Sequence, residues 1–455
     1  MPILVVMGII QIIRQVSGYK RLYAACLVLG LFGFPGTSAW SIDVPSVKIQ
    51  DDSSLRLSLV QTWFKEIPSK VLSNRSFIHT LPGGGRIQVR IEDGPREFGI
   101  VLARELNGVF PGWAQGSWIL TRAKEDGAAV RIRVFLRTDP YTYVQFRPMG
   151  SDKSQIDVVL YEAYAARSLS IPIPFDRLLT LPVEEALAAA GRAFPRRYFD
   201  PHTEDYQDVR TLVTSIREHL SGLSFRDDGA IDDRGRYVYI ETLEEQTGPA
   251  GLNCSGFAKW VVDGILRPVI GGLLPIAPLK TAFGERGSSF TDPYEAIRAP
   301  FFGLDWTRNL ASRANSVLRS PSYGVLEEIE VRNAPFSSVI LREREGSVIK
   351  SFPGFLMNAG FGFEGIHPLL YTLAIDEPGK IYLASINNEV NPAPRMRQHF
   401  HVAVLIPYFS ENGSFQVALF ESAEETSFSR FKNRYPGHYV NLVRIPVEGK
   451  FNPEI

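Results

Sequence analysis

The sequence predicts an α+β fold, in which a β-rich module and a helical connector precede a second domain of one helix and antiparallel strands. Three observations predict it. Residues 45–165 mostly alternate apolar and polar side chains, which is the period of strands. Residues 183–194 and 205–222 repeat apolar side chains at helical spacing. A helical stretch after Asn253 is followed by four strand-like stretches between 379 and 447.

The composition is that of a globular protein with an ample core. Of the 455 residues, 45% are hydrophobic and 11% aromatic, and the length predicts two or three domains. Lysine plus arginine and aspartate plus glutamate both total 49. Because the formal net charge is zero, no overall field attracts nucleic acid, and we do not expect nucleic acid as a partner.

Residues 1–39 have the order of a cleavable signal peptide. Three basic residues precede the apolar run "LYAACLVLGLFGF", and "GTSAWS" supplies small residues for cleavage near Ala39. The apolar runs are too short to span a bilayer, so we expect no transmembrane span in the mature chain. The sequence therefore predicts export to the periplasm or the cell surface. A loose lipoprotein pattern around Cys26 leaves lipidation as an alternative.

The β-rich module at 45–165 contains strand-like stretches such as "RIQVRIEDG" and "AAVRIRVFLRTD", separated by turns of Gly, Pro and Asp. It contains no cluster of catalytic side chains, so we expect its role to be binding, positioning or packing. An envelope protein is a candidate partner. The helical connector covers 166–236. We place the second domain at 237–450 and expect its irregular middle, 268–370, to loop out as an insertion, either as a lid or as an accessory subdomain.

Cys254 is the candidate nucleophile. After removal of the signal peptide it is the only cysteine of the chain, and Asn253 before it is a good N-cap residue. The sulfur therefore lies in the first turn of a helix that we expect to end at Pro268, where free N–H groups and the helix dipole favour the thiolate. The small residues Ser255 and Gly256 would let a substrate approach the sulfur closely.

The candidate base and orienting group lie at the ends of two later strands. His401 begins the strand-like stretch "HVAVLI", and Glu421 ends the next one, "QVALFESA". If these strands are antiparallel neighbours, the carboxylate can fix the tautomer of the imidazole. His399 lies two residues before His401, so we expect both rings on one face of the strand, with His399 in the substrate site.

These motifs resemble the NlpC family of bacterial cell-wall cysteine peptidases and the related CHAP amidases. "GLNCSGFAKWV" is similar to the family's nucleophile motif, "EPGKIYLAS" to its Pro-Gly-Asp-Leu strand, and "HVAVLIPYFSENGSFQVALFESA" to its histidine hairpin. The resemblance covers about 237–448. Asn253 stands where the family usually has aspartate, and the spacing between Cys254 and His401 is longer than the compact family core requires.

The resemblance implies a papain-like core, in which the nucleophile helix packs on an antiparallel sheet. It also implies hydrolysis of amide bonds in the stem peptides of peptidoglycan, through a Cys254–His401–Glu421 triad and a thioester intermediate, with no metal or organic cofactor. Tyr237 and Tyr239 are the nearest candidates for lining the substrate pocket.

Three alternatives stay open from the sequence. The protein can be an inactive envelope-binding or scaffolding module on the same fold. His399, His401, Cys254 and Glu421 can form a zinc site, since a His-x-His pair places both rings on one strand face. The same triad can also transfer acyl groups in a reaction other than proteolysis.

Overall fold

Two large antiparallel sheets, a small sheet of β9 and β10, and the helices packed against them form the described part of the protein, which confirms the predicted α+β class. The structure, a computed structural model, describes residues 49–284, 299–343, 346–352, 354–390, 396–448 and 450–453. The predicted signal peptide at 1–39 and Cys26 lie outside the described residues. Within these ranges no helix is both long and apolar enough to cross a membrane.

The elements have the following bounds. The strands are β1 (Phe77–Thr80), β2 (Arg86–Asp93), β3 (Glu97–Arg104), β4 (Trp118–Ala123), β5 (Ala129–Val134), β6 (Tyr143–Met149), β7 (Lys153–Leu160), β8 (Ala163–Ile171), β9 (Gly229–Ile231), β10 (Tyr237–Tyr239), β11 (Ser338–Glu343), β12 (Gly346–Ser351), β13 (Phe361–Gly362), β14 (Lys380–Val390), β15 (Met396–Phe409), β16 (Phe415–Glu421), β17 (Glu424–Glu425) and β18 (Tyr439–Pro446). The α-helices are α1 (Ser53–Leu59), α2 (Pro68–Val71), α3 (Phe175–Leu178), α4 (Val183–Ala188), α5 (Gln207–Leu220), α6 (Cys254–Ile270), α7 (Phe302–Leu318), α8 (Leu326–Ile329), α9 (Ile366–Asp376) and α10 (Phe428–Arg434).

The first sheet has ten strands in the order β1 to β8, then β11 and β12. Its strands follow the alternation of the sequence: in β2, Ile87 and Val89 are buried, and Gln88 between them is partly exposed. Strands β1 to β8 each pair with the next along the chain, as in a meander of hairpins. This sheet continues to Ile171, past the boundary predicted at 165.

The second sheet has six strands in the order β13-β18-β14-β15-β16-β17 and carries helices on both faces. Val402 and Val404 of β15 belong to the core beneath α6 and α7, whereas Ala403 and Leu405 belong to the core beneath α9. Because both faces are covered, residues 402–409 of this strand are all buried, and the sequence "HVAVLI" shows almost no alternation.

Within the region predicted as an insertion, 268–370, the described elements pack into both sheets instead of looping out. Helix α7 buries Trp306 and Leu310 in the core that it shares with α6. The β11–β12 hairpin joins the first sheet where Ser338 pairs with Tyr164. Helix α9 covers one face of the second sheet. The irregular composition of this region therefore does not indicate the three elements that complete the core.

Helix α6 runs past Pro268, where the sequence predicts its end. Proline has no N–H to donate to the carbonyl four residues earlier, which is that of Gly264. The backbone N–H of Asn452 donates to this carbonyl instead, at 2.8 Å. With that acceptor satisfied the helix continues to Ile270, and it ends at Gly271, whose φ of 69° gives the left-handed cap that glycine favours.

The first turn of α6 is held between β9 and α7. A β-carbon on Gly256 would lie 2.0 Å from the carbonyl oxygen of Gly229, so only glycine allows the strand to approach this closely. The N–H of Asn253 donates to the same carbonyl at 3.0 Å. On the other side, the indole N–H of Trp306 donates to the carbonyl of Ser255 at 2.9 Å. The turn that carries Cys254 is thus fixed from two directions.

Substitution of Gly256 by alanine should destabilise the protein. The added methyl group meets a backbone oxygen that cannot rotate away, so we expect Gly256→Ala to lower the free energy of unfolding by about 1–3 kcal/mol. Denaturant unfolding followed by circular dichroism measures the change. Gly272→Ala is the matched control, because no heavy atom lies within 4 Å of its added β-carbon. Equal stability of both variants would contradict the close packing of α6 on β9.

Candidate active site

Cys254 occupies the first position of α6, and its sulfur lies at an open edge of the second sheet. The side chain of Asn253 caps the helix by accepting the N–H of Gly256 at 2.8 Å. Pairing of β15 with β16 stops at Val404, so β16 does not cover the edge of β15 before that residue. The N–H of Val402 at this edge donates to the sulfur. The helix dipole and this N–H both favour negative charge on the sulfur.

His401 links the cysteine to a carboxylate. It lies on β15 one residue before Val402, and its Nε2 atom is 2.7 Å from Oε2 of Glu421. Its ring also hydrogen-bonds Cys254. Because Nε2 is engaged by the carboxylate, Nδ1 is the nitrogen that faces the sulfur. The ring of Tyr435 packs beside the imidazole, with ring centres 6.0 Å apart. The imidazole side chain is 16% exposed, so the site is accessible but well enclosed.

Glu421 ends β16 and is held through both of its oxygens. Oε2 contacts His401, and Oε1 accepts the hydroxyl of Thr426 at 2.8 Å and forms an ion pair with Arg434 at 2.7 Å. Ser422 and Ala423 follow with φ of 52° and 67°, a left-handed pair that turns the chain tightly into β17. This strained turn returns the chain so that Thr426 reaches the carboxylate, and α10 then brings Arg434.

The protonation equilibria of the three side chains are coupled. Burial opposes ionisation of Cys254, but hydrogen bonding and charge attraction from His401, with the Val402 N–H, lower the pKa of the thiol below its usual value. Burial also lowers the pKa of His401, but its bonds to Cys254 and Glu421 outweigh this and raise the pKa to about 9. Burial raises the pKa of Glu421, whereas bonds from His401 and Thr426 lower it to about 2. These directions favour a thiolate–imidazolium pair beside an ionised carboxylate.

The arrangement has the parts that nucleophilic catalysis requires. A sulfur with a lowered pKa faces an imidazole, and a carboxylate orients that imidazole from behind. Within the described part of the chain, the backbone N–H of Cys254 has no hydrogen-bond acceptor, so it is available to a developing oxyanion. The structure therefore brings together the three side chains that the sequence predicts as catalytic.

His399 lies elsewhere, because the register of β15 shifts between it and His401. His401 pairs with Ile386 and His399 with the adjacent Asn387, so a bulge places the two histidines on opposite faces. The expectation of a shared face is therefore wrong. His399 is buried, with Nδ1 2.8 Å from the Ser385 hydroxyl and Nε2 2.9 Å from a backbone carbonyl. Burial lowers its pKa to about 3, and both of its ring nitrogens are engaged in bonds within the chain.

The other predicted binding residues have internal roles. Ser255 and Gly256 are buried in the packing of α6 against α7 and β9, so they do not form a surface for substrate. Tyr239 accepts a hydrogen bond from Arg226 at 2.5 Å. Tyr237 is partly buried and packs against the core. The contacts of all four residues are thus made within the chain itself.

The predicted zinc alternative does not fit this geometry. It requires His399 beside His401, and the bulge separates them. In the described ranges, no three His, Cys, Asp or Glu side chains are arranged to hold a metal ion.

Four groups at the site were not identified from the sequence: the Val402 N–H, Thr426, Arg434 and Tyr435. An unpaired N–H of a strand has no sequence signal of its own. Thr426 and Arg434 reach Glu421 only through the tight turn at Ser422, which lacks the Asn-Gly or Asp-Gly pair that marks such turns. The nearest signal was the position of these residues shortly after the predicted acid.

Comparison with known proteins adds a partial family match. A family model described as "Domain of unknown function (DUF8515)" matches residues 45–198, which contain β1 to β8 and lie apart from the triad. Phosphoribosylformylglycinamidine synthase subunit PurL of Thermoplasma acidophilum is 25% identical over 128 residues, 28% of this chain and 16% of that protein. The match thus spans only 16% of the length of this curated relative. No solved structure matches the chain.

Replacement of His401 should make the thiol less acidic. The imidazole supplies the main contribution that opposes the effect of burial, so in His401→Asn the pKa of Cys254 should rise. We expect alkylation by iodoacetamide at neutral pH to slow by about tenfold or more. The midpoint of the pH dependence of the alkylation rate should move to higher pH. Mass spectrometry of the alkylated protein across a pH series gives this profile.

His438→Asn is the matched control for that profile. This histidine packs edge-on against Phe400 and Tyr435, and its Nδ1 contacts the carbonyl of Pro436, so the pH profile should keep its wild-type shape. An unchanged profile in His401→Asn would rule out the thiolate–imidazolium pair.

Proposed function

We propose that the protein is an exported cysteine hydrolase with a papain-like NlpC-type core, which cleaves amide bonds in the stem peptides of peptidoglycan. The observation that carries the proposal is the hydrogen-bonded series Cys254, His401 and Glu421, placed by the tip of a helix and by two adjacent antiparallel strands. The resemblance of the Cys-Ser-Gly, Pro-Gly and His-Val motifs supports the same assignment, since they occur in the family's order.

The reaction begins with the ionised sulfur. The Cys254 thiolate attacks the carbonyl carbon of the scissile amide and forms a C–S bond, while the carbonyl oxygen takes up negative charge. The N–H of Cys254 stabilises that oxyanion. The tetrahedral intermediate then breaks its C–N bond, and the imidazolium of His401 gives its proton to the leaving amine. A thioester and a neutral imidazole remain.

Water completes the cycle. The neutral imidazole removes a proton from a water molecule, whose oxygen attacks the thioester carbonyl, and the C–S bond then breaks. The released sulfur is again a thiolate beside an imidazolium. Glu421 stays ionised throughout, because its pKa of about 2 lies far below that of the imidazole. Its role is to hold Nδ1 towards the sulfur and to stabilise the positive ring.

Asn253 suits this chemistry although the family usually has aspartate there. Its side-chain oxygen retains the cap on the N–H of Gly256. Because the amide is neutral, it does not oppose the negative charge on the adjacent sulfur, as a carboxylate would. The substitution therefore keeps the geometry and favours the thiolate.

Removal of the sulfur should abolish hydrolysis. We expect Cys254→Ala to release no new amino groups from purified peptidoglycan sacculi, while its circular dichroism spectrum and unfolding transition remain those of the wild type. Free amino groups are measured by derivatisation of the soluble fraction. Activity of the alanine variant equal to wild type would refute the proposed mechanism.

Neutralising the carboxylate should slow the reaction without removing the nucleophile. In Glu421→Gln the imidazolium loses its charged partner, so the pKa of His401 falls and kcat/KM should drop by about 10²–10⁴-fold. Steady-state kinetics on a soluble stem-peptide substrate measure the ratio. Glu424→Gln removes an exposed carboxylate from the same turn and should leave kcat/KM near wild type. A similar small loss in both variants would mean that Glu421 does not orient His401.

A further inference from the structure

A cavity of about 870 Å³ lies apart from the triad, where the first sheet meets the second. Its walls come from the β7–β8 turn, the loop before β6, and α9, β16 and α10. Neither Cys254 nor His401 lines it. Its volume falls in the range of small-molecule sites, roughly 300–1,000 Å³.

One side of the cavity is a cluster of aromatic rings centred on Tyr161. Its ring centre lies 3.9 Å from that of His367, 5.6 Å from that of Phe415 and 6.1 Å from that of Tyr141, to which it is stacked at 29°. Tyr141 is 42% exposed, so the cluster is open to a ligand on that side. Such a surface binds flat apolar faces.

The backbone is strained where it places this ring. Tyr161 and Glu162 form the two-residue turn between β7 and β8 with φ of 46° and 70°. Turns of this shape favour Asn-Gly or Gly-Gly, because left-handed backbone costs other residues energy. A strained non-glycine pair of this kind persists where the surrounding structure holds it, and such strain is concentrated at ligand sites. Here the result is a tyrosine ring directed into the cavity.

The polar groups of the cavity are suited to a neutral ligand. Burial and the charge of Lys432 lower the pKa of His367 to about 3, so its ring is neutral. In the described part of the chain, its two nitrogens have no hydrogen-bond partner, and they can donate and accept once each. The charged lining residues balance, with Arg217 and Lys432 against Glu162 and Glu425.

The remaining polar lining consists of amides and hydroxyls. Gln416 and Asn433 stand on β16 and α10, and Ser427 and Ser429 lie beside them. Gln416 and Asn433 are exposed, and each offers a donor pair and an acceptor to a ligand. An aromatic wall opposite amides and hydroxyls matches a molecule with apolar ring faces and polar edges.

We propose that this cavity binds a neutral saccharide, with the C–H face of a sugar ring stacked on the aromatic cluster and its hydroxyl groups bonded to Gln416, Asn433 and His367. The proposal does not depend on the hydrolase activity. The segment 424–434 separates the two sites: Thr426 lines the cavity and also bonds Glu421, but the sulfur is not part of the cavity. Saccharide binding should therefore persist when Cys254 is replaced by alanine.

The probes are chitotetraose, which carries acetamido groups as a cell-wall glycan does, and cellotetraose, which does not. Both are titrated into the Cys254→Ala protein by isothermal calorimetry. Binding of either sugar is expected. Preference for chitotetraose identifies an acetamido glycan as the class of ligand, and preference for cellotetraose identifies a plain glucan.

Substitutions of two exposed lining residues then test whether the saccharide binds in this cavity. Tyr141→Ala removes an aromatic face and Gln416→Ala removes an amide, and each should weaken binding by about tenfold. Tyr323→Ala is the control and should not weaken binding, because it removes a tyrosine of similar exposure that stacks on Arg319. Matching unfolding midpoints show that the variants are folded. Absence of binding to both sugars at millimolar concentration, or binding unaffected by Tyr141→Ala and Gln416→Ala, overturns the proposal.

Discussion

The point at which β16 stops pairing with β15 is the constraint on which the rest of the site depends. Because the ladder ends at Val404, β16 does not pair with the residues before it, and the tip of α6 lies at this edge in the place of a further strand. The N–H of Val402 thereby meets the sulfur instead of a carbonyl. His401 is the next residue along that edge, and Glu421 is the last residue of β16. One register therefore places all three side chains, and a shift of one residue would turn the imidazole to the opposite face.

The site also depends on a row of four neighbouring charges of alternating sign. Sulfur, imidazole, carboxylate and the guanidinium of Arg434 form an alternating series that runs from a partly buried position to the surface. Burial alone penalises each of the first three ions. Each charge is favourable only because its neighbour carries the opposite sign, so the series behaves as a unit. Arg434, which is 36% exposed on its side chain, connects the end of the series to solvent.

Much of the triad could be predicted because its signals are local. Asn253 and the small residues after Cys254 indicate the start of a helix, and His401 and Glu421 stand at the ends of two clear strand patterns. What could not be predicted depends on distant contacts. The bulge that turns His399 away has no sequence marker, the N–H of Asn452 allows α6 to pass Pro268, and the start of β11 pairs with β8, a strand formed much earlier in the chain. For the same reason the sequence does not indicate that Thr426 and Arg434 contact Glu421. The turn that brings them there contains left-handed Ser422 and Ala423, which are unusual turn residues.

The contact that relieves Pro268 also has a consequence for the order of folding. Asn452 bonds the middle of α6, the ring of Phe451 fills the space that a side chain at position 264 would occupy, and Arg267 bonds the carbonyl of Pro453, 186 residues later in the chain. During synthesis, and during any passage across a membrane that begins at the N-terminus, the helix that carries the sulfur cannot complete its packing until this segment is available. The thiol therefore acquires its final surroundings only after residues 451–453 have emerged, together with strands β15 and β16 before them.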